Sequence, residues 1–139
     1  MHTFKENLKP SYGAYSTNLG AETSDKVESA VFVEMESYDS VWLIAQAIGA
    51  ASGEVISLIA LEATAANGGG SATTSKTDTF TSTDATDTDV LQVEIKAAEL
   101  SSGYKYVGLR ITTSAASGTP VVSGMIVQGN PRYAQATLV

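Results

Sequence analysis

Hydrophobic and polar positions alternate most cleanly in the last third of the chain. From Tyr104 to Thr113, Lys105, Val107, Leu109, Ile111 and Thr113 fall on one side. Tyr104, Tyr106, Gly108, Arg110 and Thr112 fall on the other, because side chains along a strand have period two. A second β-branched run, Pro120 to Gln128, follows the small polar segment Ser114 to Thr119, so the stretch reads as strand, loop, strand and is expected to be a hairpin. Its candidate core residues are Val107, Leu109, Ile111, Val122 and Ile126. A hairpin of this size cannot bury its own apolar face, so the rest of the chain must supply further strands.

It does so from Ser29 onward. Ala30 to Met35 predicts a strand with Val31, Val33 and Met35 on one side, and Ser37-Tyr38-Asp39 a turn. Ser40 to Ala47 predicts the next strand, ending at Ile48 to Gly53, a turn rich in small residues. Glu54 to Thr64 predicts a third whose centre is apolar on both faces, the pattern of a strand covered on both sides. Val90 to Ala97 alternates again, and Ala98 to Gly103 is expected to be a helical turn or tight loop.

Between these lies Ala65 to Asp89, dominated by Thr, Ser, Asp and Gly with Phe80 alone among them, which reads as a polar connection with at most a short strand around Thr79 to Thr83. Residues 1–26 hold little hydrophobic periodicity, and Pro10 and Gly13 break any helix, so they read as an extended N-terminal arm. The expected organisation is therefore an arm over 1–26, a β-sandwich domain over 27–130 that carries the polar loop 65–89, and a C-terminal tail over 131–139. The fold class is all-β: an antiparallel sandwich or jelly-roll-like barrel of about six to eight strands.

Charge changes the picture more than composition does. Of the 15 acids, only Glu6 precedes residue 20 and none follows residue 99. Residues 1–19 carry net +1, residues 20–99 net −11 and residues 100–139 net +3, which make up the −7 of the whole. An acidic middle without clustered Lys and Arg argues against a nucleic-acid partner. Basic ends that meet an acidic body on a neighbouring copy would suit an assembling protein. Met1 to Pro10 lacks the apolar run of a secretory leader, and Val41 to Ala51 is too short to span a bilayer, so no membrane partner is expected.

The usual catalytic residues are scarce. Cysteine is absent and His2 is the one histidine, which argues against disulfides, thiol chemistry, a Ser-His-Asp triad or a histidine-rich zinc site. Asp84, Asp87 and Asp89 are closely spaced, yet the run lacks the glycine and terminal glutamate of an EF-hand loop, so no metal site is expected. Gly68-Gly69-Gly70-Ser71 has no Lys-Ser or Lys-Thr pair at phosphate-loop spacing. Glu34, Glu36, Asp39, Glu54 and Glu62 are the acids from which a glycosidase-like pair would have to come. Trp42 shares its phase with Ser40, Ile44 and Gln46 and is expected in the core, a sugar-stacking platform being the alternative. No enzyme, cofactor or metal is expected.

Four segments carry a family likeness: Glu36 to Ile44, then Gly49 with Gly53 and Ser57, then Tyr104 to Thr112, and Val127 to Tyr133. They resemble small β-sandwich decoration, or cement, proteins of tailed-bacteriophage heads, over about Val33 to Tyr133. The resemblance implies a virion structural protein on the outer surface of the capsid. It implies binding to the lattice of the major capsid protein and homo-oligomers, trimers ahead of dimers. Tyr12, Tyr15, Arg132 and Tyr133 are the candidate interface residues, since tyrosine and arginine are favoured at binding hot spots and these four sit near the basic ends. The rival class is a carbohydrate-binding or adhesin module displayed on a virion or tail.

Overall fold

The chain pairs as one long antiparallel ribbon folded back on itself. The computed structural model describes residues 8–18 (backbone alone at 12 and 14–18), 26–29, 31–84, 86–114 and 119–131. The strands are β1 (Leu8–Asn18), β2 (Lys26–Glu28), β3 (Val33–Glu34), β4 (Tyr38–Ile48), β5 (Val55–Ala63), β6 (Ala72–Thr81), β7 (Thr88–Lys96), β8 (Tyr106–Thr113) and β9 (Val121–Pro131). The first pairs with the last, β2 and β3 with β8, β4 with β7, and β5 with β6, all antiparallel. Lateral pairing of β4 with β9 and of β5 with β8 then rolls this ribbon into two sheets. Their orders are β1-β9-β4-β7 and β2-β8-β5-β6, with β3 also on β8. With β2 and β3 taken as two pieces of one strand, this is the jelly-roll order.

The inner faces follow from period two. Val41, Leu43, Ala45 and Ala47 of β4, Leu91, Val93 and Ile95 of β7, and Val122 and Ile126 of β9 point inward. They meet Ile56, Leu58 and Ala60 of β5 and Val107, Leu109 and Ile111 of β8, all buried. The five core residues expected from the last third are thus all in the core. So is the two-sided burial of β5: its other face, Ile59, Leu61 and Ala63, is covered by Phe32 and Tyr106 in a second small cluster. Backbone hydrogen bonds from Ser29 to Leu109 (2.9 Å) and from Phe32 to Ala66 (3.0 Å) hold Ser29 and Phe32 against the outside of the sheet. Gly108 makes the room, since a Cβ there would lie 2.5 Å from Ser29 Oγ and 2.6 Å from Phe32 Cε1.

Three expectations are corrected. Strands β8 and β9 do not form a hairpin. They lie in opposite sheets, each between better partners, β8 beside β5 and β9 beside β4. The polar stretch 65–89 contains a full edge strand of 10 residues, β6, rather than a short strand at 79–83. Its threonines are β-branched and suit an edge, while Phe80 packs against the core. The strand expected at Ala30 to Met35 shrinks to β3, with Val33 and Met35 buried but Val31 53% exposed. Residues 8–18, within the stretch read as an arm, are extended and hydrogen-bonded along β9 as β1. A 3-10 turn, Ala97–Glu99, stands where a helical turn or loop was expected.

Buried acids hold the ends of the sandwich. Glu54 accepts hydrogen bonds from the Ala51 amide (2.8 Å) and the Thr113 hydroxyl, and Glu62 accepts one from the Ser101 amide (2.9 Å). On the edge, Asp78 of β6 accepts the Gln92 amide of β7 (2.9 Å), closing one side where the two sheets meet. This occupies a donor that an open edge would offer to another strand. At the opposite edge, Arg110 Nε donates to Glu28 Oε1 (2.8 Å), which also lies 3.0 Å from Lys26 Nζ. Partial burial of Glu28 opposes its charge, but the hydrogen bonds and charges of Lys26 and Arg110 outweigh it and hold its pKa below the ordinary carboxylate value.

Two outcomes follow for stability. Gly108→Val forces a branched side chain into the space of Phe32 and Ser29, and is expected to destabilise the fold by about 1–3 kcal/mol, measured by urea unfolding. Because the folded-state pKa of Glu28 is depressed, its stabilising contribution is complete above its unfolded-state pKa and is lost as pH falls through the lower, folded-state value. The stability gap between wild type and Glu28→Gln is therefore expected to be widest near neutral pH and to close on acidification. Denaturation series from pH 7 to pH 3 measure it.

Candidate functional site

The outer face of the β1-β9-β4-β7 sheet is the distinctive surface of the molecule. On β4 the outward row is Ser40, Trp42, Ile44, Gln46 and Ile48, in antiphase to the buried Val41, Leu43, Ala45 and Ala47. Pairing sets Trp42 between Val127 and Glu94, Ile44 between Met125 and Gln92, Gln46 between Ser123 and Val90, and Ile48 between Val121 and Thr88. Among the described residues, Val31, Trp42, Ile48, Val90 and Met125 are the exposed large hydrophobics. All but Val31 belong to this one face, with exposures of 46% for Trp42, 48% for Ile48, 44% for Val90 and 47% for Met125. Scattered apolar residues need no explanation, but contiguous ones mark a contact surface.

Trp42 is therefore not in the core, contrary to expectation. Its phase is that of Ser40 and Gln46, and alternation, not side-chain size, decides its side. The indole forms one wall of a groove of about 220 Å³ with Leu8, Ser40, Glu94, Val127, Gly129 and Asn130. Asn130 is the one described non-glycine residue at positive φ (53°), a region asparagine tolerates, and its Nδ2 lies 3.4 Å from Ser40 Oγ. At the far end of the face, Gln46, Ile48, Asp89, Val90, Val121 and Ser123 line a second hollow of about 450 Å³.

The other sheet presents different chemistry. Thr73, Ser75, Thr77, Thr79 and Thr81 form the exposed row of β6. Ser57 and Thr112 continue the hydroxyl surface across β5 and β8. The molecule thus has one apolar and one hydroxyl-rich outer face.

The four residues expected at an interface are only partly placed. Tyr12 and Tyr15 lie on β1, and the Tyr12 backbone sits opposite Met125. Arg132 and Tyr133 lie outside the described residues; they follow Pro131, which pairs with Tyr38 at the groove end of the sheet. The chain thus enters β1 at Leu8, opposite Gly129, and leaves β9 at Pro131 on the same border of this face. The exposed patch itself was missed in the sequence, although the phase of Trp42, Ile44 and Ile48 against the buried row of β4 carried the signal.

Of the acids considered for catalysis, Glu34, Glu36, Glu54 and Glu62 are engaged in local structure. Glu34 accepts the amides of Glu36 (2.7 Å) and Ser37 (3.2 Å), Glu36 pairs with Lys105, and Glu54 and Glu62 stand near opposite ends of β5. The Asp84 carboxylate accepts the Thr86 amide (2.7 Å) and hydroxyl (2.6 Å). Asp87 is held below the ordinary carboxylate range by hydrogen bonds from the Thr83 hydroxyl, the Thr83 amide and the Asp84 amide. Among the described residues no group of three or more His, Asp or Glu side chains is placed to hold a metal ion.

No family model and no curated protein matches the sequence. Among solved structures, the chain resembles a protein of infectious bursal disease virus, Gx strain, with a TM-score of 0.59 and 11% identity over 91% of this chain and 33% of that one. The VP2 subviral particle of the same virus aligns at 0.53 and 11% identity, over 89% of this chain and 32% of that one. The CBM22-1–GH10 modules of xylanase 10B from Clostridium thermocellum, complexed with xylohexaose, align at 0.51 and 12%, over 98% and 29%. The chain spans about a third of the length of these proteins. At such identities the likeness is one of fold, and it places the chain among jelly-roll β-sandwiches.

Proposed function

We propose that this protein is a non-catalytic virion structural module that decorates and stabilises a bacteriophage capsid, binding the major capsid protein lattice from outside. The observation that carries this reading is the entry and exit of the chain along one border of the β1-β9-β4-β7 sheet, from which both ends of the chain can reach the lattice; the apolar outer face of that sheet suits a protein that also associates. Support comes also from the head-protein resemblance of the sequence and from a fold shared with a protein of a subviral particle. Flat contacts repeated over a symmetric shell need little energy each, because the first raises the effective concentration for the next. Nothing in this function requires chemistry, which fits acids engaged in turns and loop ends.

The structure alters how the arm is best tested. Removing residues 1–20 would delete an edge strand along with any anchor. Removing residues 1–7 alone, or changing Arg132 or Tyr133 to Ala, leaves β1 in place. Purified phage heads that lack the protein are expected to take it up stoichiometrically in a co-sedimentation assay. Arg132→Ala is expected to weaken uptake roughly tenfold, the cost of about 1.4 kcal/mol at an interface hot spot. No association with heads, and no copies in purified virions by mass spectrometry, would sink the proposal.

A second reading, a carbohydrate-binding module on a virion or tail, is favoured by one observation. Trp42 is exposed beside Ser40, Glu94 and Asn130, an apolar platform with hydrogen-bonding groups at its rim. Binding on a glycan array that is lost in Trp42→Ala while head uptake persists would select this reading. An array without hits rejects it.

A further inference from the structure

We infer that the outer face of the β1-β9-β4-β7 sheet is a self-association surface, on which a second copy of this chain packs face to face about a twofold axis. The inference rests on the reading of this chain as an assembling protein and deepens it by naming the occupant of that face and the stoichiometry, a dimer.

Three observations point to a second copy. The first is charge. In a chain of net charge −7 with 15 acids, the outward rows Ser40 to Ile48, Thr88 to Lys96 and Val121 to Gly129 hold one acid, Glu94, and one base, Lys96. Two copies of an acidic protein repel each other through most orientations. Apart from Asp89, which lines the hollow at one end, these rows bring two copies together with little net charge, so repulsion is low in this direction.

The second is shape and extent. β4 and β9 are each 11 residues long and the sheet has four strands. At roughly 3.3 Å per residue and 4.8 Å between strands the face covers on the order of 700 Å². A standard stable interface buries about 800 Å² on each partner, so the face alone comes near what a dimer needs. Sheet faces stack on one another at about 10 Å, and a twofold axis sets the same surface on both sides of the contact.

The third is the arrangement. Ile44, Ile48, Met125 and Val90 occupy the middle and one end of the face, while Gln46, Gln92, Ser123 and Ser40 are interspersed or at its rim. An apolar centre with neutral polar neighbours is the anatomy of a homodimer contact, in which each residue meets the same patch on its partner. A closed twofold pair uses the face once on each copy and leaves the hydroxyl-rich faces outward on both sides.

Sedimentation equilibrium of the full chain from 1 to 100 µM is the test, with Ile48→Glu and Met125→Glu as variants. Both positions are exposed in the single chain, so the fold is expected to survive, which circular dichroism and the unfolding temperature verify. Val31→Glu, exposed but off the face, is the control. The expected result is a dimer for wild type and Val31→Glu, with a dissociation constant raised at least tenfold by either substitution on the face. A 14.4 kDa monomer throughout, a trimer, or a dimer indifferent to both substitutions overturns the inference. A monomer that still loads onto heads would reject the pair and leave the capsid reading standing; a dimer that never loads would do the reverse.

Discussion

In the middle of each sheet the chain buries alternate residues so completely that no water reaches them: Val41 and Leu43 on β4, Ile56 and Leu58 on β5, Leu109 and Ile111 on β8, Val122 and Ile126 on β9. These four strands are the ones with neighbours on both sides, and everything else is attached to them. Because strand side chains alternate strictly, a slip of one residue in any of them would turn the whole inner row to solvent. Register is therefore fixed by the core, and with it the position of each outward side chain. Trp42 stands beside Val127 and Glu94 because Leu43 must stand beside Ile126 and Val93.

That coupling explains why the outer faces can differ so sharply. Once the inward phase is set, the outward phase is free of packing demands, and composition there reflects what each face meets. On β6 the outward row is Thr and Ser; on β4 it is Trp, Ile and Gln. Glycine serves the same division at two places where side chains crowd. At Gly124 an added Cβ would come within 2.9 Å of Leu109 Cδ2, so the bare backbone of β9 lets Leu109 from the opposite sheet approach closely. At Gly108 the same bareness admits Phe32 to the outside of the other sheet.

Much of the fold was legible in the sequence because period two is a strong signal wherever a strand has one wet face, as in β4 and β7. It failed where the signal is weak for physical reasons. The run Tyr104 to Gln128 shows two strands and a turn, but a hairpin and a crossover between sheets look alike until the lateral partners are known, and those partners are far away in sequence. β6 was hidden by its composition, since an edge strand needs only one buried row and threonine satisfies the backbone preference without apolar bulk. β1 was hidden because its pairing along β9 is made by backbone groups, which carry no residue signature. The size of Trp42 points to the core, but its phase decides its side, which Ser40 and Gln46 two and four residues away share.

The candidate surface was harder to see than the fold because it is a property of registers rather than of any motif. Trp42, Val90 and Met125 are separated by tens of residues, and each alone is an ordinary strand hydrophobe. They become a patch only when β4, β7 and β9 are set side by side, and the patch acquires meaning only against the chain's charge. Acids are plentiful on the loops and on the edges, where they cap amides and oppose lysines. On the wet face of these three strands a charged side chain would cost the fold nothing, so stability alone does not account for a row in which seven of the outward residues are apolar and two are charged. The self-association proposed above would account for it, since it brings another surface close to this face with little repulsion.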